Sequence, residues 1–184
     1  MKRLTILTMC LGAGWAVSAC AASSVEPMST NQPSLLIQGY NYTDQDIDSF
    51  TVNGIGGGNV HISTPSSGGG GSTCCYRFDG LSSQSVTIRW TASYCSYATT
   101  NKYGETHTWR KSLWREEKVP VAIKELSEPK ALEVHFYPDG HLEAVVTSGY
   151  SPPRLKLPIT ADKQRPGVSR SYPLCSHEHL DQVH

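Results

Sequence analysis

Apolar and polar residues alternate along several short stretches of this chain, as in strands that bury one face. In SVTIRWTA the side chains of Val86, Ile88 and Trp90 fall on one face. Similar stretches, bounded by turn-forming residues, predict strands at residues 35–43, 47–53, 59–64, 85–92, 119–125, 131–138 and 141–147. No long stretch has the helical period. We therefore predict an all-β fold, a single sandwich-like domain of about seven strands in which any helix is short.

Two glycine clusters, at residues 54–58 and 68–71, flank the predicted strand at 59–64. The first is not a dinucleotide fingerprint because Asn59 replaces its last glycine, and the second lacks the Lys-Ser/Thr of a phosphate loop. We predict long glycine-rich loops, which serve either as mobile connections or as places of close backbone approach to a partner. The candidate partner-binding glycines are Gly56, Gly57, Gly69 and Gly70.

The first nineteen residues have the features of a secretory signal, with Lys2 and Arg3 followed by a short apolar run. Residues 17–20, VSAC, match a lipobox, so we predict cleavage before Cys20 and lipidation of its thiol. The alternative is a soluble secreted protein cut near Ala21. With Ala21 after the cysteine, the usual sorting rule predicts an outer-membrane anchor and a periplasm-facing protein.

The remaining chain divides into three predicted parts. Residues 20–34 are small, polar and proline-containing and predict a flexible tether, residues 35–150 the β domain, and residues 151–184 a largely irregular tail rich in proline, basic residues and histidine. Loss of Lys2 and Arg3 leaves 14 basic against 16 acidic residues, a net charge of about −2. That balance gives no reason to expect nucleic acid as a partner.

Four cysteines remain after the signal and the lipidated residue are set aside: Cys74, Cys75, Cys95 and Cys175. In an oxidising compartment an even number predicts disulfides. Because adjacent residues in a strand point to opposite faces, we expect the vicinal pair to have distant partners. The predicted bridges are Cys75 with Cys95 and Cys74 with Cys175, and the exchanged assignment of the vicinal pair stays open.

The stretch at residues 103–118, YGETHTWRKSLWREEK, combines aromatic with basic residues. Trp, Tyr and Arg dominate the binding energy of protein interfaces, so Trp109, Arg110 and Trp114 are candidate anchors for a partner. The alternative is a strand and loop with one buried tryptophan and a solvated charged face.

Sequence signs of catalysis or of a cofactor are lacking. The chain has no G-x-S-x-G and no H-E-x-x-H, and its paired acids Glu116 and Glu117 face opposite sides of a strand. Single histidines on predicted strands, such as His135, are ordinarily structural. We predict a non-enzymatic protein without a metal or cofactor.

Several motifs carry a resemblance to a known family. These are GYNYT, IDSFTVNG, GGGNV and GGGGSTCC at residues 39–75, and VPVAIKE, LEVHFYPDG and LEAVVTSG at residues 119–149. Together they resemble an uncharacterised-domain family of Gram-negative lipoproteins, over about residues 35–150. Characterised members of that family are immunity proteins against type VI secretion lipase effectors (Tli-like).

The resemblance implies a binding protein whose partner is a secreted phospholipase effector, neutralised by stoichiometric occlusion. An inhibitor tethered to the membrane would meet such an effector at raised effective concentration. The alternative is a structural or accessory envelope lipoprotein that binds another cell-envelope component.

Overall fold

The computed structural model describes residues 32–80, 84–124, 127–168 and 171–181. The predicted signal peptide, Cys20 and most of the tether lie outside these residues. Eight strands and one helix follow in order: β1 Ser34–Asn41, β2 Ile47–Val52, β3 Ile55–Val60, β4 Gly69–Arg77, β5 Ser85–Thr100, β6 Thr106–Ile123, β7 Ala131–Phe136, β8 Leu142–Thr147 and α1 His177–Asp181. No helix among the described residues is long and apolar enough to cross a membrane.

The strands close into a barrel in the order β1-β4-β3-β2-β5-β6-β8-β7, and β7 returns to β1. The all-β prediction is confirmed, but the sandwich of seven strands is wrong. Two parallel pairings between strands distant in sequence, β1 with β7 and β6 with β8, close the wall. Alternation shows which face of a strand is buried but not which strands pair, so the sequence pattern fits both architectures.

The core lies inside the barrel and is built from alternate residues of each strand. Val86, Ile88 and Trp90 share the inward face, as predicted, and Trp90 is 7 % exposed. The Phe136 ring packs edge-on against Phe50 with centroids 5.4 Å apart. Full burial of a side chain of this size stabilises the fold by about 1.5–3 kcal/mol relative to its exposure.

Most residues of both glycine clusters lie in strands rather than in loops, with only Gly54 and Gly68 outside them, which corrects the predicted loops and adds β4. The reason is close intramolecular approach. A Cβ on Gly57 would fall 2.1 Å from the Phe50 ring, and a Cβ on Gly69 would fall 1.9 Å from the His61 carbonyl oxygen. Gly69 also has φ of +94°, which a residue with a side chain rarely adopts. Because glycine has low β-propensity, the sequence pattern did not predict these strand residues, although the packing of the barrel requires glycine there.

The chain after β8, called here the C-terminal segment, is mostly irregular and lies against the outside of the barrel. Arg165 fastens it. The guanidinium donates to the carbonyls of Thr43 at 3.1 Å, Ser63 at 2.7 Å and Asn41 at 3.3 Å. Burial lowers the pKa of Arg165 from its ordinary value. Hydrogen bonds to several carbonyls satisfy this buried charge and hold the segment in place.

Candidate functional site

The outer parts of β5 and β6 form a hairpin, called here the arm, at residues 91–114. The two strands pair from Ser85 opposite Pro120 to Thr100 opposite Thr106, with one irregularity after Thr91. Their barrel neighbours reach only the inner parts: β2 pairs with β5 at residues 88–90, and β8 pairs with β6 at residues 121–123. The arm therefore extends beyond the strands that close the barrel.

A side chain organises the turn at the end of the arm. Asn101 Oδ1 accepts hydrogen bonds from the backbone N–H of Tyr103 at 2.9 Å and of Glu105 at 3.1 Å. Gly104 supplies the left-handed conformation that the turn needs, with φ of +83°. The tip thus has a defined shape and carries Tyr103, which is 76 % exposed.

Both predicted tryptophan anchors are exposed, Trp109 by 53 % and Trp114 by 42 %. Trp109 Nε1 donates to Thr99 Oγ1 at 2.8 Å. The Arg89 guanidinium lies 4.5 Å from the centre of the Trp114 ring, a cation–π contact. Neither tryptophan belongs to the core, so the alternative of one buried tryptophan on this stretch is wrong. Large aromatic surface held in fixed orientation suits protein recognition.

Arg110, the third predicted anchor, lies midway along the arm and binds its own chain. Its Nη2 donates to both carboxylate oxygens of Asp48, at 2.9 and 3.1 Å. The guanidinium lies 4.1 Å from the Tyr94 ring centre and 5.7 Å from that of Tyr172. The hydrogen bond with Tyr172 and the Asp48 charge outweigh burial and raise the pKa of Arg110. Arg110 therefore orients the arm relative to β2.

A disulfide between Cys95 and Cys175 joins the arm to the C-terminal segment, with Cα atoms 4.8 Å apart. Ser96 brings the two together, since its N–H donates to the Pro173 carbonyl and its carbonyl accepts from the Cys175 N–H, both at 2.8 Å. This pairing corrects both predicted bridges. The pairing depends on a short parallel contact between segments far apart in the chain, and such a contact has no sequence pattern by which it could be predicted.

The remaining cysteines, Cys74 and Cys75, are bonded to each other in β4 across a cis peptide. The expectation of distant partners assumed a trans peptide, which directs adjacent side chains apart.

Of the four candidate glycines, Gly56 is exposed with open space around it. Gly70 lies where a Cβ would fall 2.8 Å from the Gly39 carbonyl oxygen. At Gly57 and Gly69 the space that a side chain would take is likewise occupied by the chain's own atoms. These three glycines therefore allow close packing within the barrel.

A cavity of about 330 Å³ opens beside the arm base, between the β1–β2 turn and the C-terminal segment. Polar groups dominate its wall, including Asp44, Asp46, Arg110, Lys163 and Tyr172. Burial raises the pKa of the neighbouring Tyr94 phenol, and the Asp48 charge raises it further. Tyr94 therefore stays neutral and donates to the Asp46 carbonyl at 2.7 Å. This cavity, Arg110 and the arm lie together on one side of the molecule.

A second polar cluster, which sequence analysis did not find, is buried under the C-terminal segment. Glu133 and His135 are fully buried on the outward face of β7, with Oε2 and Nε2 3.4 Å apart but not in hydrogen-bond geometry. Glu133 Oε1 accepts from the Ser151 N–H at 2.7 Å and from the Tyr40 hydroxyl at 3.3 Å. The Tyr42 hydroxyl lies 3.2 Å from His135 Nδ1. This explains why two tyrosines alternate in GYNY although both face outward.

Burial is the largest influence on both ionisable groups of this cluster. It lowers the pKa of His135 and outweighs the opposing contact with Glu133, so the imidazole is neutral. For Glu133, burial acts to raise the pKa, but His135 and the Ser151 N–H lower it by more, so the carboxyl is ionised. The cluster holds the segment on the barrel and is closed to solvent.

Metal-ligating side chains are not grouped in the described parts of the chain: no three His, Cys, Asp or Glu lie close enough to hold an ion.

Comparison with known proteins gives no match among curated proteins and none among solved structures. A protein family does match over residues 40–143, from Tyr40 on β1 to Glu143 on β8, which is more than half of the chain. The chain therefore belongs to the family described as protein of unknown function (DUF3304).

Proposed function

We propose that this protein is an immunity protein that binds and neutralises a type VI secretion phospholipase effector by stoichiometric occlusion. The observation that carries the binding role is the arm, which holds Trp109, Trp114 and Tyr103 exposed on a defined hairpin. The class of partner rests on the resemblance of the barrel motifs to the lipoproteins that neutralise lipase effectors.

The arm is prepared for binding because its own chain restrains it. Arg110 ties it to Asp48 on β2, and the Cys95–Cys175 disulfide ties it to the C-terminal segment. A partner that docks on such a surface immobilises fewer side chains and loses less affinity to conformational entropy. Exposed aromatic rings on a restrained hairpin are consistent with a hot spot near the centre of an interface.

The proposed location completes the mechanism. A lipid on Cys20 and the tether at residues 20–34 would hold the barrel at the periplasmic face of the outer membrane. A lipase must reach a membrane to act, so an inhibitor tethered to that membrane encounters it at a raised effective concentration. The inhibitor occludes the active-site entrance or the membrane-docking face and performs no catalysis, metal-dependent or otherwise.

Periplasmic co-expression with a type VI lipase from the same genome tests this function. Wild-type protein should restore growth and form a 1:1 complex with catalytically inactive lipase on gel filtration. Trp109→Ala and Trp114→Ala together should weaken the complex by about 2–4 kcal/mol, the range of hot-spot residues.

Tyr150→Ala is the matched control, because Tyr150 is 56 % exposed but lies outside the arm. It should rescue growth as well as the wild type does. No rescue and no complex with any type VI lipase of that genome would instead favour the accessory envelope lipoprotein.

A further inference from the structure

Most of β6 has one edge with which no described strand pairs. One side of β6 pairs with β5 from Pro120 to Thr106, while the other side pairs with β8 only at residues 121–123. Within the described parts of the chain, no strand pairs with the remaining edge at residues 106–120. A strand edge of this length presents a row of backbone donors and acceptors to which another strand can add.

The hydrogen-bond alternation shows which residues of β6 direct their backbone groups to this edge. The Val121 N–H donates to the Gln84 carbonyl at 2.8 Å, which places Val121 in a pair bonded to β5. Alternate residues counted back from Pro120, namely Lys118, Glu116 and Trp114, then direct their N–H and C=O away from β5. On β5, the Thr87 carbonyl opposite Lys118 accepts from the N–H of Asn53, the residue that follows β2, so it too points away from β6.

The charge along this edge favours an acidic partner. Residues 106–120 hold four basic side chains, at positions 110, 111, 115 and 118, against two acidic ones, at 116 and 117. Arg110 is bound to Asp48, and Lys111 Nζ donates to the His179 carbonyl. Arg115 and Lys118 form no ion pair with any described residue. The side chains of Arg115 and Lys118, without an ion pair among the described residues, thus lie on either side of the outward backbone groups of Glu116.

We infer that the edge of β6 at residues 106–120 binds an extended acidic segment of a protein partner by strand addition, with Arg115 and Lys118 contacting its carboxylates. The inference deepens the proposed binding role and rests on it for the identity of the partner. Main-chain hydrogen bonds supply affinity in this mode, and side chains supply specificity. A second copy of this chain is a poorer occupant, because its β6 carries the same excess of positive charge and is repelled.

The first test needs no lipase. A synthetic peptide of about twelve residues, alternating threonine and valine with glutamate to match a strand, is titrated into isotope-labelled protein and followed by NMR. The amide signals of Trp114, Glu116 and Lys118 should shift, and a peptide with lysine in place of glutamate should not shift them. Equal shifts with both peptides, no shift with either, or concentration-dependent dimerisation through β6 would each overturn the inference.

Backbone variants separate strand addition from side-chain contact. Glu116→Pro removes an N–H that β5 does not use, whereas Glu116→Ala removes the same side chain and keeps that N–H. Glu116→Pro should weaken the glutamate peptide at least about tenfold relative to Glu116→Ala, as expected for lost ladder hydrogen bonds. Equal affinity of the two variants would overturn the inference. Lys118→Pro with Lys118→Ala repeats the comparison if the first proline disturbs folding.

The same pairs of variants then distinguish this inference from the proposed function. If the lipase binds wild type and Glu116→Pro equally well, strand addition at β6 is wrong while the immunity role stands. If the lipase does not bind the wild type at all, the immunity role fails and the peptide titration alone decides the inference. Arg115→Glu with Lys118→Glu should reverse the peptide preference from glutamate to lysine.

Discussion

The guanidinium of Arg110 on β6 binds both carboxylate oxygens of Asp48 on β2, at 2.9 and 3.1 Å, although β2 and β6 are not neighbours in the barrel. β5 lies between them, so the two side chains meet across an intervening strand. Tyr94 of that strand packs its ring 4.1 Å from the guanidinium. This contact sets how the arm leaves the barrel and joins it to the polar cavity beside β2.

Removal of this pair should alter the stability of the fold only slightly. Both side chains are about two-fifths exposed, and exposed ion pairs contribute about 0.2–1 kcal/mol in double-mutant cycles. We expect a coupling energy in that range from urea unfolding of Asp48→Ala, Arg110→Ala and the double variant. A coupling energy above about 3 kcal/mol, as in buried pairs, would contradict the exposed geometry.

The Cys95–Cys175 disulfide should contribute far more to the stability of the fold than the ion pair between Arg110 and Asp48. It links residues 80 apart in the sequence, and constraint of an unfolded loop of that length stabilises a fold by about 4.5 kcal/mol in the chain-entropy model. Cys95→Ser with Cys175→Ser should lower the unfolding free energy by about that amount and increase hydrogen exchange in residues 171–181. Non-reducing peptide mapping provides the direct check, since a peptide linking Cys75 to Cys95 would contradict the structure.

The two neighbouring glycines of β3 should respond differently to the same substitution. A Cβ on Gly57 would meet the Phe50 ring at 2.1 Å, whereas a Cβ on Gly56 meets nothing within 4 Å. Gly57→Ala should destabilise the barrel by about 1–3 kcal/mol through overpacking, and Gly56→Ala should change stability by less than about 0.5 kcal/mol. Chemical denaturation of both variants measures the difference. Equal effects would show that the Phe50 contact does not require the glycine.

Stability should fall as the pH drops, because of His135. Burial lowers its pKa in the folded protein, so the unfolded chain binds the proton more readily and stability is lost below the ordinary histidine value of about 6.5. The lowered pKa of Glu133 adds a further loss below about pH 4.5. Thermal unfolding from about pH 7 to 5 should show the first loss in wild type.

His135→Gln should flatten the profile between about pH 6.5 and 5, because the group that takes up the proton is gone. His107→Gln is the control: His107 lies on the arm with its side chain 54 % exposed, away from the buried cluster, so this variant should keep the loss of stability that depends on His135. A wild-type profile that is already flat over this interval would contradict the buried neutral state of His135.

Local alternation in the sequence was sufficient to predict about half of the strands. β1, β2, β7 and β8 lie within two residues of their predicted bounds, and Asp139 with Gly140 forms the predicted turn. These segments have β-branched and aromatic residues with period two, so their local preference agrees with their tertiary role. β4 and the start of β3 were missed because their glycines have low β-propensity and are selected by contacts with Phe50 and His61 instead.

The candidate site divides in the same way. Residue types alone pointed to Trp109, Arg110 and Trp114, because aromatic and basic residues concentrate in one stretch. Contacts within the chain separate two roles among them: the tryptophans present exposed rings, while Arg110 binds Asp48, a residue whose proximity no local pattern indicates. Glu133 and His135 were not predicted as a buried pair, because an alternating strand predicts outward polar residues to be solvated. The tyrosine rings at positions 40 and 42 and the C-terminal segment cover them instead.

Local sequence patterns were enough to predict the β class, the inward faces of the regular strands and the aromatic-basic stretch, because each depends on side chains close together along the chain. Only the folded structure shows that the sheet closes into a barrel, that Cys95 bonds to Cys175, and that no described strand pairs with the β6 edge at residues 106–120. These features depend on pairing between segments far apart in the chain. Many pairings satisfy the same alternation, and the packing of the whole barrel selects one.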